Sequence, residues 1–464
     1  MRGTSAGGAA RPAAPGTAAS RTSEAAPRLG IVISMFPELH ETFILRELVA
    51  LERRGVDFDV YSLQFPRDPI TLEDAIRLST ERTTYSRLVT PATLGALARA
   101  ALARPVALAR AVGRCLVDGR DRPAEALKNL AVLPLALRFG ELGERRGVTH
   151  WHGHWANVPT TACWWLGRVR GASWSAAIHG EDIFTRNRFL ATKLDAARFT
   201  VACSGRFRDH LRRELGLARP ERVHLNYHGL DPRILERAGA SDARPARSLT
   251  DPLRLIAIGR LVPTKGHDTL LRALGRLARE GVDARLELVG SGPERAALEA
   301  LAREEGVADR VALRGAVGFA EVIDALESAD VFCLAPRLLP GHPPDGIPNV
   351  IAEAMALGVP VVATRVSAIP ELVRDGVDGR LVEVDDAAAF ARALGELAAD
   401  PALRARFARA ARGRVAELFD QDANIDELIA HFDEHVPGAA IGADVPRALG
   451  DAGQAGRRPS STSA

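Results

Sequence analysis

The sequence predicts an α/β protein of two doubly wound, Rossmann-like domains that face a cleft. Short buried-strand patterns alternate with helical patterns in both halves of the chain, and a polar, Pro-containing segment separates the halves. The length of 464 residues suits two or three domains, and 47% hydrophobic residues supply enough apolar side chain for their cores. A mainly disordered or fibrous protein is therefore excluded.

The first domain, predicted over residues 29–240, begins with a strand, a helix and a second strand. LGIVIS is a buried strand, Ile44, Leu48 and Leu51 follow at helical spacing, and VDFDVYSL is the next strand. This order starts a parallel sheet. VTHWHGHW, SWSAAIHG, RFTVACS and RVHLNYHG are four further strands that extend it.

A helical insertion is predicted at about residues 86–147, with Pro105 breaking one stretch. At 100° per residue one face is apolar and the opposite face is basic. The apolar face holds Leu97, Leu108, Val112 and Leu116, and the basic face holds Arg99, Arg110 and Arg114. Two interpretations stay open: a helix packed on the sheet with a solvated arginine face, or contact with an anionic membrane surface.

Residues 241–252 are predicted to be a linker because they are polar and lack periodicity. The second domain, 253–436, repeats the alternation with LRLIAI, RLELVG, RVALRG, DVFCLAP and VPVVAT as strands. Residues 1–28 and 437–464 are rich in Ala, Gly, Pro and Ser, and we expect a disordered leader without a signal-peptide core and a disordered tail.

Charge and cysteine content narrow the class of protein. A net charge of +3 gives no overall field of the kind that nucleic-acid binders use, so no nucleic-acid partner is expected. Four cysteines without a C-x-x-C pair predict neither a zinc knuckle nor a disulfide framework. No window reaches about 18 consecutive apolar residues. The expected location is the cytoplasm, where the inner face of the cytoplasmic membrane is a further possibility.

The loop GRLVPTKGHDTLL follows the strand LRLIAI and places two cations at the sheet edge where ligands of open α/β sheets bind. Arg260 and Lys265 could bracket a diphosphate there and stabilise charge on a leaving group. From spacing alone, a solvated loop with two chance charges is an equal alternative.

The segment DGIPNVIAEAMALGVPVVAT combines two carboxylates with a helix start. Pro348 suits the first helical turn, whose free N–H groups can bind phosphate or sugar hydroxyls. Glu353 could accept hydrogen bonds from a ribose diol, and Asp345 is predicted to face the cleft. The alternative is an acidic helix N-terminus favoured by the helix dipole.

Together, these two segments resemble the donor-binding half of the retaining family-4 glycosyltransferases, which have the GT-B fold. ISMFPELHETFILREL, HWHGHW, AIHGEDIF and VHLNYHGLDP resemble bacterial members that build exopolysaccharides, including colanic-acid-type enzymes. The resemblance covers roughly residues 29–436.

The resemblance implies roles for individual residues. Arg260 and Lys265 would bind the donor diphosphate, Glu353 the ribose, and Asp345, where the family has Glu, the transferred sugar. The helix start would add Gly346, Ile347 and Asn349 to the donor site, and His179 would be the cleft histidine that contacts donor sugar or acceptor. Acceptor-site candidates are Glu41 and Thr42, in the segment that replaces the glycine-rich loop of some members, and Asp182.

The histidines of HWHGHW and the glycines of LVGSGPERAAL are two further patterns with a functional and a structural interpretation. A strand would place His150, His152 and His154 on one face, which could hold zinc, but no Cys or acidic ligand stands nearby in the sequence, so a cleft-lining sheet edge is preferred and no metal is expected. LVGSGPERAAL lacks the full GxGxxG and a ribose-binding acid, which disfavours a nicotinamide enzyme and leaves a packing turn.

The expected function is therefore metal-independent transfer of a sugar, with retention, from a nucleotide-diphosphate sugar to a polysaccharide or lipid-linked acceptor. No cofactor is expected beyond the donor substrate. The alternatives are a nucleotide-sugar epimerase or hydrolase on the same fold, which would act without an acceptor, and a non-catalytic nucleotide-sugar-binding scaffold subunit.

Overall fold

The computed structural model describes residues 27–38, 41–67, 72–180, 183–184, 188–240, 251–340, 342 and 346–436. The predicted tail, most of the predicted leader and residues 241–250 of the predicted linker lie outside these ranges.

The sheet of the first domain is entirely parallel within the described ranges. Its strands are β1 (Arg28–Met35), β2 (Phe58–Gln64), β3 (Thr83–Tyr85), β4 (Val148–His154), β5 (Ser173–Ile178), β6 (Thr200–Ala202) and β7 (Val223–Leu225). Their order is β3-β2-β1-β4-β5-β6-β7. Ile31, Val32 and Ile33 are fully buried because helices cover both faces of the sheet.

The first domain carries these helices: α1 (Thr42–Arg53), α2 (Glu73–Glu81), α3 (Pro91–Ala103), α4 (Pro105–Asp118), α5 (Pro123–Ala131), α6 (Leu133–Arg145), α7 (Val158–Trp165), α8 (Arg188–Ala196) and α9 (Gly205–Glu214). The next helix, α10 (Pro232–Ala240), was predicted in the first domain but packs on the second, because Leu230 and Ile234 lie in the same core cluster as Ile256 and Ile351. No sequence pattern predicted the helix α2 or the strand β3. The strand β3 has three half-buried residues at the sheet edge, so its pattern is too short to distinguish from a turn.

The second domain has the same architecture. Its strands are β8 (Leu253–Ile258), β9 (Ala284–Val289), β10 (Val311–Gly315), β11 (Val331–Leu334), β12 (Val361–Thr364) and β13 (Gly379–Val382). Their order, β10-β9-β8-β11-β12-β13, is that of a doubly wound sheet. Its helices are α11 (His267–Arg279), α12 (Arg295–Glu304), α13 (Phe319–Ser328), α14 (Asn349–Ala356), α15 (Ile369–Leu372), α16 (Ala387–Ala399), α17 (Pro401–Leu418) and α18 (Gln421–His435). The predicted two-domain fold is confirmed.

The last helix, α18, packs on the first domain and not on the second domain, where it was predicted. The segment α18 lies in the predicted second domain, but its apolar residues Ile425, Leu428 and Phe432 join the core beneath α1 and β1 of the first domain. Arg54 of α1 also binds Asp422 and Asp426 at 2.9 and 2.8 Å. The chain therefore returns to its first domain at the end of the described residues.

The insertion is helical but not straight. Helices α3 and α4 meet at a bend of 112°, so a single helical projection across Pro105 was wrong. Leu97, Leu108 and Val112 pack against the core, as the first interpretation has it, whereas Leu116 is 49% exposed. No single helix in the described ranges has both the length and the apolar composition to span a membrane, and only the bent pair reaches them jointly.

Candidate functional site

A cavity of about 630 Å³ lies between the two domains. Both sheets direct the carboxyl ends of their strands toward it, which is where open α/β sheets bind ligands. The first domain contributes the segments after β1, β4, β5, β6 and β7, and the second contributes the loop after β8 and the start of α14. We call this cavity the cleft.

Arg260 and Lys265 both line the cleft, so the structure brings the two predicted cations together on one wall. The loop that carries them is tightly built. Gly266 has φ +65°, and a Cβ there would lie 1.8 Å from the carbonyl oxygen of Ala335. His267 Nε2 lies 3.2 Å from the carbonyl oxygen of Arg260. The positions of the cations are thus fixed by backbone packing that leaves no room for a side chain.

The glycines of LVGSGPE support the same loop. Gly290 has φ +144°, and a Cβ there would lie 1.9 Å from the carbonyl oxygen of Gly259. A Cβ on Gly292 would lie 2.3 Å from the carbonyl oxygen of Leu261. These close contacts fit the packing turn expected from the sequence.

The start of α14 forms the adjacent part of the cleft wall. Gly346, Ile347 and Asn349 line the cleft, and α14 begins at Asn349 with no side-chain cap and no acidic residue in its first turn. Pro348 precedes the helix as its N-cap residue instead of entering the first turn. The backbone N–H groups of this turn are therefore available to an anion in the cleft. The predicted Asp345 lies outside the described residues.

Glu353 is one turn further into α14 and is buried, with 7% exposure. It does not line the cleft; its Oε1 lies 4.0 Å from Nη1 of Arg46, which α1 of the first domain supplies. Burial raises the pKa of the Glu353 carboxyl, and the positive charge of Arg46 opposes that shift. Arg46 is a residue that sequence reasoning missed, because nothing in α1 indicates which helix of the other domain it will meet.

His179 lies at the centre of a chain of side-chain contacts. Its Nε2 is 3.0 Å from Nδ1 of His154, and its Nδ1 is 2.9 Å from Nε2 of His228. His154 Nε2 lies 3.2 Å from Oε1 of Glu47, and the side chain of His228 is hydrogen-bonded to that of Asn349. We call this series the histidine chain.

Hydrogen bonds run only through part of the histidine chain, from His154 through His179 to His228. Glu47 Oε1 and His154 Nε2 lie 3.2 Å apart, but neither atom has a hydrogen-bond partner within the described ranges. Burial lowers the pKa of His179 well below its usual range and that of His228 to about 3. The imidazoles of His179 and His228 are thus neutral at pH 7, and His228 connects the histidine chain to Asn349 at the start of α14.

The strand β4 places His150, His152 and His154 on one buried face, as its alternation predicts. His150 contacts the hydroxyls of Ser173 and Ser175, at 2.9 and 2.8 Å, which occupy both of its ring nitrogens. The expectation that no acidic group stands near this motif was wrong. Glu47, His152 and His154 have ligand atoms within 4.8 Å of one another, because α1 packs over the end of β4.

The acceptor-site candidates are placed unevenly. Glu41 lines the cleft at the residue before α1, and Thr42 is the first residue of that helix but is not part of the lining. Asp182 lies outside the described residues.

A second cavity between the domains, of about 580 Å³, is bordered by a polar contact that the sequence did not reveal. Glu371 of the second domain accepts hydrogen bonds from the backbone N–H groups of Gly205 and Arg206, at 2.7 and 2.6 Å, and from the Tyr227 hydroxyl at 2.9 Å. The carboxylate thus caps α9 of the other domain. We call this contact the Glu371 latch.

Solved structures share this two-domain architecture. A glycosyltransferase from Rickettsia africae matches with a TM-score of 0.65 and 14% identity, covering 89% of this chain and all of that one. The Anabaena protein Alr3699/HepE in complex with UDP matches with a TM-score of 0.66 and 17% identity, covering 88% and 100%. The architecture of two facing parallel-sheet domains is the GT-B fold.

Sequence comparison then places the second domain. Residues 252–400 match the family model described as "Glycosyl transferases group 1". A GDP-mannose-dependent alpha-(1-6)-phosphatidylinositol monomannoside mannosyltransferase of Mycolicibacterium smegmatis is 34% identical over 285 residues, 58% of this chain and 66% of that protein. The putative colanic acid biosynthesis glycosyltransferase WcaL of Salmonella typhimurium is 34% identical over 206 residues, 44% and 49% respectively. The chain thus spans about half to two thirds of the length of these relatives.

Proposed function

We propose that the protein is a glycosyltransferase that transfers a sugar from a nucleoside-diphosphate sugar to a polysaccharide or lipid-linked acceptor. The observation that carries the proposal is the cleft, where Arg260, Lys265 and the uncapped start of α14 stand opposite His179. The donor diphosphate would lie against the two cations, and its sugar would point toward the first domain.

The chemistry follows from charge. When the bond between the sugar and the diphosphate breaks, negative charge develops on the leaving phosphate. Arg260, Lys265 and the N–H groups of α14 are fixed before reaction and can stabilise that charge. This set would do what other sugar transferases assign to a divalent ion, so we propose a metal-independent reaction. Retention of configuration is proposed from the resemblance of the donor-site motifs.

His179 is proposed to contact the donor sugar or the acceptor. It lines the cleft, and as a neutral imidazole it does not compete for the diphosphate charge; because both of its ring nitrogens contact histidines, a sugar hydroxyl would take the place of His154 or His228 at one of them. Glu41 is proposed to lie on the acceptor side of the cleft.

We also propose that the helical insertion contacts an anionic membrane at the cytoplasmic face. Residues 91–117 contain four arginines and no carboxylate, although Arg99 and Arg114 are ion-paired with Glu141 and Asp118 at 2.7 and 2.5 Å. Within this region Leu102 is 85%, Val106 58% and Val117 57% exposed. Apolar side chains beside cations are typical of a surface that rests in lipid headgroups. This face differs from the one that the helical projection selected, because the bend at Arg104 turns α4 away from α3.

The membrane proposal is tested by co-sedimentation with phosphatidylglycerol-containing vesicles at low salt. Leu102→Glu with Val106→Glu should abolish binding, whereas Leu235→Glu, 43% exposed outside the insertion, should not. Equal binding by all three proteins would contradict it.

The activity proposal is tested with the full chain, metal-free, against GDP-mannose, UDP-glucose and other nucleotide sugars. The names of the relatives make GDP-mannose the first donor to try. Selective thermal stabilisation by one donor, and acceptor-dependent release of nucleoside diphosphate, are expected. Donor turnover without acceptor would favour an epimerase or hydrolase, and donor binding without any product would favour a scaffold subunit.

A further inference from the structure

Three histidines meet at the edge of the first domain, outside the cleft lining. His224 belongs to β7, and His431 and His435 belong to α18. The ring centroid of His224 lies 4.1 Å from that of His431 and 5.1 Å from that of His435. One nitrogen from each ring lies within 4.8 Å of the other two. We call this group the edge cluster.

The nitrogens of the edge cluster lack hydrogen-bond partners within the described ranges. Nε2 of His224, both ring nitrogens of His431 and Nε2 of His435 are shielded from solvent and unpaired. Burying unpaired polar atoms costs free energy, so their accumulation at one place calls for a ligand. His152 Nε2, His154 Nε2 and His267 Nδ1 are also buried without a partner within the described ranges, but the edge cluster is where four such nitrogens lie together.

The surroundings favour the form of imidazole that binds metal. Burial and the neighbouring histidines lower the pKa values of His224 and His431 to about 4, so both have free lone pairs at pH 7. Phe199 lies 5.8 Å from the ring of His431 and 5.5 Å from that of His435 and covers one side of the cluster. On the other side, the exposed carboxylate of Glu434 lies 3.7 Å from His435 Nε2.

We propose that His224, His431 and His435 bind a divalent transition-metal ion, with Zn²⁺ as the first candidate. Histidines at positions i and i+4 of a helix place two imidazoles on one face, and the strand supplies the third. Three imidazoles with an open fourth position form a recurring zinc environment. Water or the Glu434 carboxylate completes the coordination.

The ion would fasten α18 to the first domain. The start of α18 is already held there, since Gln421 donates to the carbonyl oxygen of Arg46 at 2.8 Å and Asp422 and Asp426 bind Arg54. The edge cluster lies near the other end of the same helix. The site is structural and takes no part in the proposed sugar transfer, so its test is independent of that proposal.

The test titrates Zn²⁺ into the full chain after chelator treatment, by calorimetry and with Co²⁺ as a spectroscopic probe. We expect one ion per chain, tetrahedral Co²⁺ absorption, a higher Tm and slower amide exchange in α18. His224→Ala, His431→Ala and His435→Ala should each weaken binding about tenfold or more, since even loss of a residue that only supports a ligand costs about that much.

Controls locate the ion. His342→Ala changes an exposed histidine, and Glu47→Gln changes the group formed by Glu47, His152 and His154. Both variants should keep the parent's affinity for Zn²⁺. Far-UV circular dichroism checks folding, and His431→Gln replaces His431→Ala if the latter unfolds. Sub-stoichiometric or only millimolar binding would overturn the proposal. So would binding that Glu47→Gln abolishes and the edge-cluster variants retain.

Discussion

Arg46 of α1 and Glu353 of α14 face each other across the domain boundary, with Nη1 and Oε1 4.0 Å apart and both side chains less than a tenth exposed. Asp231 adds negative charge near Arg46, whose Nε and Nη2 have no hydrogen-bond partner in the described ranges. A buried charge pair of this kind is sensitive to the loss of one member.

Glu353→Ala should therefore destabilise the protein by about 3–5 kcal/mol, because it leaves the Arg46 guanidinium buried without its partner. Arg46→Met with Glu353→Leu should recover most of that loss. Urea unfolding of the three proteins measures both effects. Equal stability of Glu353→Ala and the parent would show that the pair does not hold the domains together. Donor binding is better tested with Glu353→Gln, which keeps the side-chain volume.

Lys265→Ala should lower turnover about 10²- to 10³-fold, because it removes one of the charges placed to stabilise the leaving diphosphate. Steady-state kinetics with the donor found in the screen measure the loss. Lys128→Ala, at an exposed position of α5, is the matched control and should keep full activity. Unchanged turnover of a folded Lys265→Ala protein would refute the assignment.

The histidine chain predicts graded effects. His179→Ala removes the group proposed to touch the sugar, so kcat should fall most there. Glu47→Gln alters only the charge that lies 3.2 Å from His154 Nε2 and so acts on His179 through His154. Groups that act in acid–base catalysis or positioning contribute about 10²- to 10⁴-fold at most. The Glu47→Gln protein should also show an altered pH profile of kcat/KM. A profile identical to the parent would exclude the positioning role.

Stability should fall as the pH drops below about 6.5. Burial lowers the pKa values of His150 and His228 to about 3 and those of His224, His267 and His431 to about 4. Between pH 6.5 and 4 the unfolded chain therefore binds protons that the folded chain does not. Each such proton contributes a slope of about 1.4 kcal/mol per pH unit.

Urea unfolding at pH 5, 6, 7 and 8 checks this slope. From pH 7 to 8 these five histidines together should contribute less than about 1 kcal/mol, and from pH 6 to 5 unfolding should take up more than one proton. His150→Asn should make the slope shallower, and His342→Gln, which is exposed, should not. A free energy of unfolding that stays flat down to pH 5 would contradict the prediction.

The Glu371 latch predicts a change in domain arrangement. Glu371→Ala removes the acceptor at the start of α9, and loss of a helix cap costs about 0.5–2 kcal/mol. Because the contact joins two domains, small-angle scattering should report a larger radius, and KM for the donor should rise. Glu417→Ala, which breaks an exposed pair with Arg414 nearby, should change neither quantity.

The sequence predicts those parts of the fold that depend on neighbours along the chain. Strands such as β1 and β8 stand out because a parallel strand buried on both faces is an unbroken apolar run. The cations at 260 and 265 were predicted at the cleft since a loop after a central strand must emerge at the ligand-binding edge.

Contacts between the domains could not be predicted in this way. The pairing of Arg46 with Glu353, the Glu371 latch and the edge cluster all depend on how two separately patterned units dock. The helix α18 shows the same limit: its amphipathic pattern predicts a buried face but does not say which domain covers it. In the insertion, projection onto one helix failed because Pro105 starts a new helix at a steep angle.

The return of α18 means that the first domain is not a continuous stretch of chain. A split protein broken between Ala240 and Asp251 would yield one fragment whose core lacks Ile425, Leu428 and Phe432 and a second fragment that carries those side chains without their partners. Each piece would expose the apolar surface that the other covers. When the two fragments are co-expressed, they should associate and copurify, because each covers the apolar surface that the other exposes.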